Sequence, residues 1–174
     1  MAMDEEMRLL RARVQRLKDL DAIRHTWRDY CMRLDSGDWT GLGDVFSEDA
    51  VLEMGGLESF AIGLDGRYDG RTAIIQDFYR RAGAGPAAGR LFATGHLSTN
   101  MQVDLAGDEA TTLPYFFEIV ANDRMLIGTY QHRLRREEDR WRFAFLRISV
   151  RYRARLEASE VGGQSLTAIL AKPF

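Results

Sequence analysis

Three histidines, His25, His96 and His132, are the side chains of this 174-residue chain best suited to move protons near neutral pH. An imidazole that removes a proton from a C–H bond can drive an elimination, or an isomerisation next to a carbonyl. The positions do not indicate a metal site, because no two histidines have the short helical spacing of zinc ligands. The pattern therefore favours acid–base chemistry without a metal.

The motifs that hold cofactors or activate nucleophiles are missing from the sequence. It contains no glycine-rich dinucleotide fingerprint, no phosphate loop and no nucleophile-elbow serine motif. The single cysteine, Cys31, cannot form an intrachain disulfide or a cysteine metal cluster. We expect neither a cofactor nor a metal.

Composition points to one ordinary globular domain. Apolar residues make up 45% and charged residues 29% of the chain, and the formal net charge is −2. A nucleic-acid partner is not expected from this charge. The acidic N-terminus lacks the apolar core of a signal peptide, and no apolar run is long enough to span a membrane. These features predict a cytoplasmic protein.

Helical periodicity dominates the first part of the chain. Apolar residues recur at steps of three and four from Leu9 to Leu34. We expect a break near Lys18 and Asp19, where an aspartate can cap a second helix. The predicted elements are an N-terminal helical arm (1–18), a main helix (20–35), a short helix (38–46), a strand (51–53), a glycine-rich loop or hairpin (55–70) and a helix (71–81).

The period changes to that of strands in the second part. Hairpin connections separate four predicted strands, and Trp141, Phe143 and Phe145 alternate along the last one. Helices followed by strands indicate an α+β fold, here a cone-shaped α+β barrel whose curved antiparallel sheet wraps around the N-terminal helices. The predicted strands are 91–104, 109–121, 125–136 and 140–153. The cone domain would span 19–153, and 154–174 would form a lid or a subunit arm.

Three segments carry a resemblance to a known family. They are Ile23 to Trp39, Gly95 to Asn100, and the hairpin from Tyr130 to Phe143. In order and type they resemble the SnoaL-like, nuclear transport factor two-like superfamily, and within it scytalone dehydratases, bile-acid dehydratases and hexachlorocyclohexane dehydrochlorinases. The resemblance implies a conical small-molecule pocket and cofactor-free elimination chemistry.

The resemblance also implies residue roles. Those enzymes pair an aspartate at the end of the first long helix with a histidine at the start of the first long strand. Asp35 and His96 occupy these positions, as orienting carboxylate and general base. Tyr30 matches a functional tyrosine five residues before the aspartate, and Arg151 matches an arginine on the last strand.

Further residues are predicted to bind substrate: His132, Tyr130, Glu118, Arg147 and Trp27. Relatives place a second catalytic histidine or aspartate at the position that falls on Val120 here. Glu118 is on the same strand face and would replace it only if the strand register shifts.

Other interpretations remain open at this point. Asp35 could simply end a helix or hydrogen-bond a turn, and His96 could be a core or a surface histidine. Tyr30 could be a core aromatic, and Arg147 and Arg151 could be solvated or paired with acidic residues. The predicted function is a cofactor-independent dehydratase or other lyase, or an isomerase, acting on a hydrophobic oxygenated ring compound. The alternatives are a non-catalytic binding or assembly module and the small subunit of a ring-hydroxylating dioxygenase. We expect a small hydrophobic ligand and a homodimer or homotrimer.

Overall fold

The computed structural model describes residues 2–56, 63–83, 95–120 and 124–155, which form helices packed on one curved, open sheet. This architecture confirms the predicted α+β class. The helices are α1 (Ala2–Ser36), α2 (Trp39–Asp44), α3 (Arg71–Ala73), a π-helical segment (Ile74–Tyr79) and α4 (Arg80–Gly83). The strands are β1 (Phe46–Gly55), β2 (Gly66–Asp69), β3 (Leu97–Thr99), β4 (Val103–Ala106), β5 (Glu109–Thr112), β6 (Tyr115–Val120), β7 (Arg124–Glu137) and β8 (Arg140–Arg155). The predicted C-terminal extension lies outside the described residues, apart from the end of β8.

The sheet has the order β2-β1-β8-β7-β5-β4, and β6 lies beside β7 with β3 as its other neighbour. Every pairing is antiparallel except that β1 runs parallel to β8. The predicted antiparallel pairing is therefore correct for the hairpins but does not hold for β1, which lies parallel to β8, the last strand of the described chain. The two long strands β7 and β8 form the centre of the sheet.

Two of the four predicted strands are each divided in two. The segment 91–104 contains β3 and β4, separated at Asn100, whose φ of 56° interrupts an extended backbone. The segment 109–121 contains β5 and β6, separated by Leu113 and Pro114. Proline has no N–H to donate to a ladder, so the strand is interrupted there although both halves pair with β7. Residues 91–94 lie outside the described residues.

The predicted break in the first helix is wrong, because α1 is continuous from Ala2 to Ser36. Asp19 does not turn back to cap a second helix. Its carboxylate lies 2.8 Å from the Arg136 guanidinium and accepts a hydrogen bond from Gln15. The Asp19 carboxylate is bound to Arg136 and therefore does not cap a second helix. No glycine or proline interrupts α1 either.

The predicted alternation of Trp141, Phe143 and Phe145 is wrong at Phe145, because β8 contains a bulge. Phe143 pairs with Leu134, whereas Phe145 pairs with Arg133, so one extra residue lies between them. Phe145 is consequently on the outer face of the sheet, where the Arg133 guanidinium covers its ring at 4.9 Å. The interior position passes to Leu146, which is fully buried.

Aromatic rings fill the interior between α1 and the sheet, and His132 lies among them. The centroid of its ring is 4.7 Å from that of Trp27 and 4.8 Å from that of Phe143. Its Nδ1 lies 2.6 Å from the Thr112 hydroxyl, while Nε2 has no hydrogen-bond partner among the described residues. Burial lowers the pKa of His132 from 6.5 to about 3, because nothing charged compensates the lost hydration of an imidazolium. This histidine is a neutral core side chain.

Replacement of Gly128 on β7 tests the packing of the central strands. A Cβ there would overlap the Ser149 carbonyl oxygen and lie 2.5 Å from Cε1 of Phe116. Gly128→Ala should cost about 1–3 kcal/mol of folding free energy, as overpacking does, and lower the midpoint of thermal unfolding. Gly55→Ala is the matched control, because a Cβ at Gly55 meets no atom within 4 Å. Equal midpoints for the two variants would contradict this packing.

The buried, neutral His132 should make the fold sensitive to acid. In the unfolded chain the imidazole of His132 takes up a proton below about pH 6.5, whereas in the folded chain it does so only near pH 3. Stability is therefore lost as the pH falls through that window, by up to about 1.4 kcal/mol per pH unit. The double variant His132→Phe with Thr112→Val should unfold at lower pH in acid titrations followed by circular dichroism. Replacement of the exposed His25 by Phe is the control, and an equal shift in that control would contradict the assignment.

Candidate active site

Asp35 is positioned by the way in which α1 ends. Gly37 adopts a left-handed φ of 70°, its N–H donates to the Leu34 carbonyl, and the Asp38 N–H donates to the Arg33 carbonyl. These two bonds form a Schellman motif, which favours glycine at its left-handed position. The motif makes Asp35 the last fully helical residue, with its side chain 22% exposed.

His96 is positioned by the turn that enters β3. Gly95 adopts φ 74°, and a Cβ there would lie 3.1 Å from Oδ2 of Asp35. Glycine thus supplies both the left-handed backbone and the close approach of the turn to the carboxylate. The side chain of His96 is 2% exposed.

One carboxylate binds His96 twice. Oδ1 of Asp35 lies 2.6 Å from Nδ1 of His96, and Oδ2 accepts a hydrogen bond from the His96 backbone N–H at 3.1 Å. A carboxylate accepts hydrogen bonds, so in the neutral ring the proton lies at Nδ1 and the lone pair at Nε2. The predicted pair is therefore in contact, and Nε2, on the side of the ring away from the carboxylate, is the nitrogen that can act as a base.

Glu118 approaches His96 from the other side. Leu97 pairs with Phe117 across β3 and β6, so the next pair in the same register is His96 and Glu118. Oε1 of Glu118 lies 3.6 Å from Nε2 of His96, and it has no hydrogen-bond partner among the described residues. Glu118 reaches the site without a register shift, because the short β3 places His96 directly opposite it. The sequence could not show this pairing, since it depends on the division of the predicted strand 91–104.

Burial and charge act together on the two titrating groups. Burial lowers the pKa of His96, but the hydrogen bond to Asp35 and the negative charges of Glu118 and Asp35 outweigh it, so the net pKa is raised above 6.5. Burial raises the pKa of Glu118 above 4.5; the charge of His96 opposes this shift and that of Asp35 adds to it. The two shifts are therefore coupled, because the charge on each group changes the pKa of the other.

Three tyrosines lie beside this pair. The hydroxyls of Tyr30 and Tyr79 are 2.8 Å apart, and the ring centroids of Tyr30 and His96 are separated by 6.3 Å. The pKa values of Tyr30, Tyr79 and Tyr130 are raised well above 10, mainly by burial, so all three hydroxyls keep their protons. Tyr79 lies within the predicted helix 71–81. Its place in a π-helical turn, a geometry frequent at functional sites, has no sequence signature.

Trp27 and Cys31 support the pair from α1. The Trp27 indole N–H donates to the Ser98 hydroxyl at 3.1 Å, which fixes β3 two residues after His96. Cys31 lies one helical turn before Asp35 and is buried. Burial, with the charges of Asp35 and Glu118, raises the pKa of its thiol, so it is not a nucleophile.

The remaining predicted residues are in other surroundings. Tyr130 and His132 point inward and are buried. Arg147 is half-exposed on the outer face of the sheet, where its Nε donates to Glu53 at 2.7 Å. Arg151 is exposed at a second register shift of β8, opposite the step from Ile127 to Gly128. The structure thus groups Tyr30 with Asp35 and His96, and leaves the two arginines on the surface.

The described residues contain no group of three or more histidine, cysteine, aspartate or glutamate side chains arranged to hold a metal ion. Within the same residues, no helix is long and apolar enough to cross a membrane.

Solved structures resemble this chain in fold. A type 2 hexachlorocyclohexane dehydrochlorinase (LinA) is 17% identical with a TM-score of 0.66, over 86% of this chain and 98% of that chain. A candidate scytalone dehydratase from Novosphingobium aromaticivorans is 18% identical with a TM-score of 0.63, over 86% and 93%. An NTF2-like protein with a cystatin-like fold from the same species is 22% identical with a TM-score of 0.62, over 94% and 95%. No protein with a curated description matches the chain.

The sequence itself matches a family model. The match is to the SnoaL-like domain and extends over residues 15–147, from the middle of α1 to the centre of β8. This range contains the Asp35–His96 pair, Glu118 and the three tyrosines. The chain therefore belongs to the SnoaL-like domain family.

Proposed function

We propose that this protein is a cofactor-independent lyase of the dehydratase type, or an isomerase, that acts on a hydrophobic oxygenated ring compound. The observation that carries the proposal is the 2.6 Å contact between Asp35 and the ring of His96, whose side chain is almost fully buried. A carboxylate bound to one ring nitrogen sets the tautomer and stabilises the imidazolium that forms when the other nitrogen takes a proton. Nε2 of His96 is the base in this scheme.

Glu118 supplies the second half of an elimination. Removal of water needs a proton for the departing hydroxyl as well as a base for the C–H proton. The buried carboxyl of Glu118, with its raised pKa, is the group beside His96 that can hold this proton. In an isomerisation no group leaves, and the proton that His96 removes from one carbon would be returned to a different carbon of the substrate.

The tyrosines supply neutral hydrogen-bond donors. Negative charge develops on a carbonyl oxygen when the neighbouring C–H bond is broken, and donors fixed in a dry site stabilise it. Tyr30 and Tyr79 are already joined by a hydrogen bond and remain protonated. Their aromatic surroundings suit a hydrophobic ring.

The comparisons support this reaction class. Two of the similar structures are described as a dehydrochlorinase and a candidate dehydratase, names that denote elimination of hydrogen chloride and of water. Because a fold hosts many activities, the site geometry rather than this likeness carries the proposal.

The test uses a panel of cyclic β-hydroxy ketones with the full chain. Absorbance of the conjugated enone reports elimination, and NMR in heavy water reports exchange of the C–H proton. His96→Ala and Asp35→Asn should reduce both signals at least about 100-fold, the typical contribution of a positioned base. Glu118→Gln should reduce elimination and retain exchange, because it removes the acid and leaves the base.

His25→Ala is the matched control, since His25 lies on the exposed side of α1. It should leave both signals unchanged. Turnover that survives in both His96→Ala and Asp35→Asn would contradict the proposal. Binding of panel compounds by the wild-type chain without exchange or elimination would instead show a binding module.

A further inference from the structure

The first four turns of α1 project from the domain. Every residue from 3 to 18 is exposed, and the side chains of Arg16 and Asp19 reach the Leu105 carbonyl and Arg136 in the described part of the domain. We call residues 3–18 the arm.

The arm carries an apolar seam with a heptad period. Its members are 43–76% exposed and follow one another at steps of four, three, four and three. Such spacing forms a narrow stripe that pairs with another helix in a coiled coil. The seam consists of Met3, Met7, Leu10, Val14 and Leu17. It points away from the domain, because Arg16 and Asp19 lie on the opposite side of the helix.

The charges that flank the seam change sign along the arm. Asp4 and Glu6 flank its beginning, whereas Arg11, Arg13 and Lys18 flank its later part. In a parallel pair of arms, Glu6 would meet an arginine, but Arg13 would meet a lysine. In an antiparallel pair, each acidic end lies against a basic region.

We propose that two copies of this chain associate through their arms as an antiparallel helix pair. If Met7 packs against Leu10 of the partner subunit, Met3 packs against Val14 of the partner subunit. We call each such apolar pair a layer, and two-fold symmetry repeats both layers. The same register places Asp4 beside Arg11 of the partner subunit and Glu6 beside Arg13 of the partner subunit. Four apolar layers and four opposite-charge contacts thus form together, and the symmetry closes the assembly at a dimer.

Sedimentation velocity of the full chain across micromolar concentrations tests the assembly. Leu10→Lys should raise the dimer dissociation constant at least about 100-fold. Each dimer contains the substitution twice, so the buried apolar surface of two leucines is lost. Leu9→Lys is the matched control, since Leu9 is 47% exposed and Leu10 53%, but Leu9 lies off the seam. Circular dichroism should show both variants folded, as neither side chain is buried in the domain.

A charge swap tests the orientation. Glu6→Arg and Arg13→Glu should each raise the dissociation constant about tenfold, and the double variant should restore it, because the two positions meet only in the antiparallel pair. Restoration by Glu6→Arg with Arg11→Glu instead would show a parallel pair and overturn the proposal. A monomeric wild-type chain, or a dimer unaffected by Leu10→Lys and therefore formed by another surface such as the sheet, would also overturn it.

Discussion

The rest of the site depends on one contact. The two oxygens of the Asp35 carboxylate bind the ring Nδ1 and the backbone N–H of His96. It joins the end of α1 to the start of β3, two elements separated by 61 positions in the chain. Two left-handed glycines make the contact possible, Gly37 by ending the helix and Gly95 by letting the turn approach. A carboxylate that only ended a helix would not need the second glycine. The contact also determines which ring nitrogen is left to act as a base.

Burial of this contact has electrostatic consequences for its neighbours. His96 lies between two carboxylates, and the attraction of both outweighs the cost of burying an imidazolium. His132 lies among aromatic rings with no charged partner among the described residues, and its pKa falls instead. Two buried histidines of one chain therefore have opposite pKa shifts, because only one of them has carboxylates beside it.

The sequence predicts the elements better than their interruptions. Helical and strand periodicity, together with the family resemblance, indicated the fold class and the pairing of Asp35 with His96. Local pattern could not show that Asp19 would bind Arg136 rather than cap a helix, or that a bulge would move Phe145 to the outer face. For the same reason the sequence left Glu118 in doubt. Its distance from His96 depends on how β3 pairs with β6, which is a tertiary property.

A nitrogen-15 NMR titration of the His96 ring, in the wild-type chain and in Asp35→Asn, measures how the Asp35 carboxylate sets the state of the imidazole. In the wild-type chain we expect the neutral ring to carry its proton on Nδ1, and the titration midpoint to lie above 6.5 and to fall when Asp35 becomes asparagine. The same tautomer and midpoint in both proteins would show that Asp35 does not act on the imidazole, and that the Asp35–His96 pair is not a functional unit.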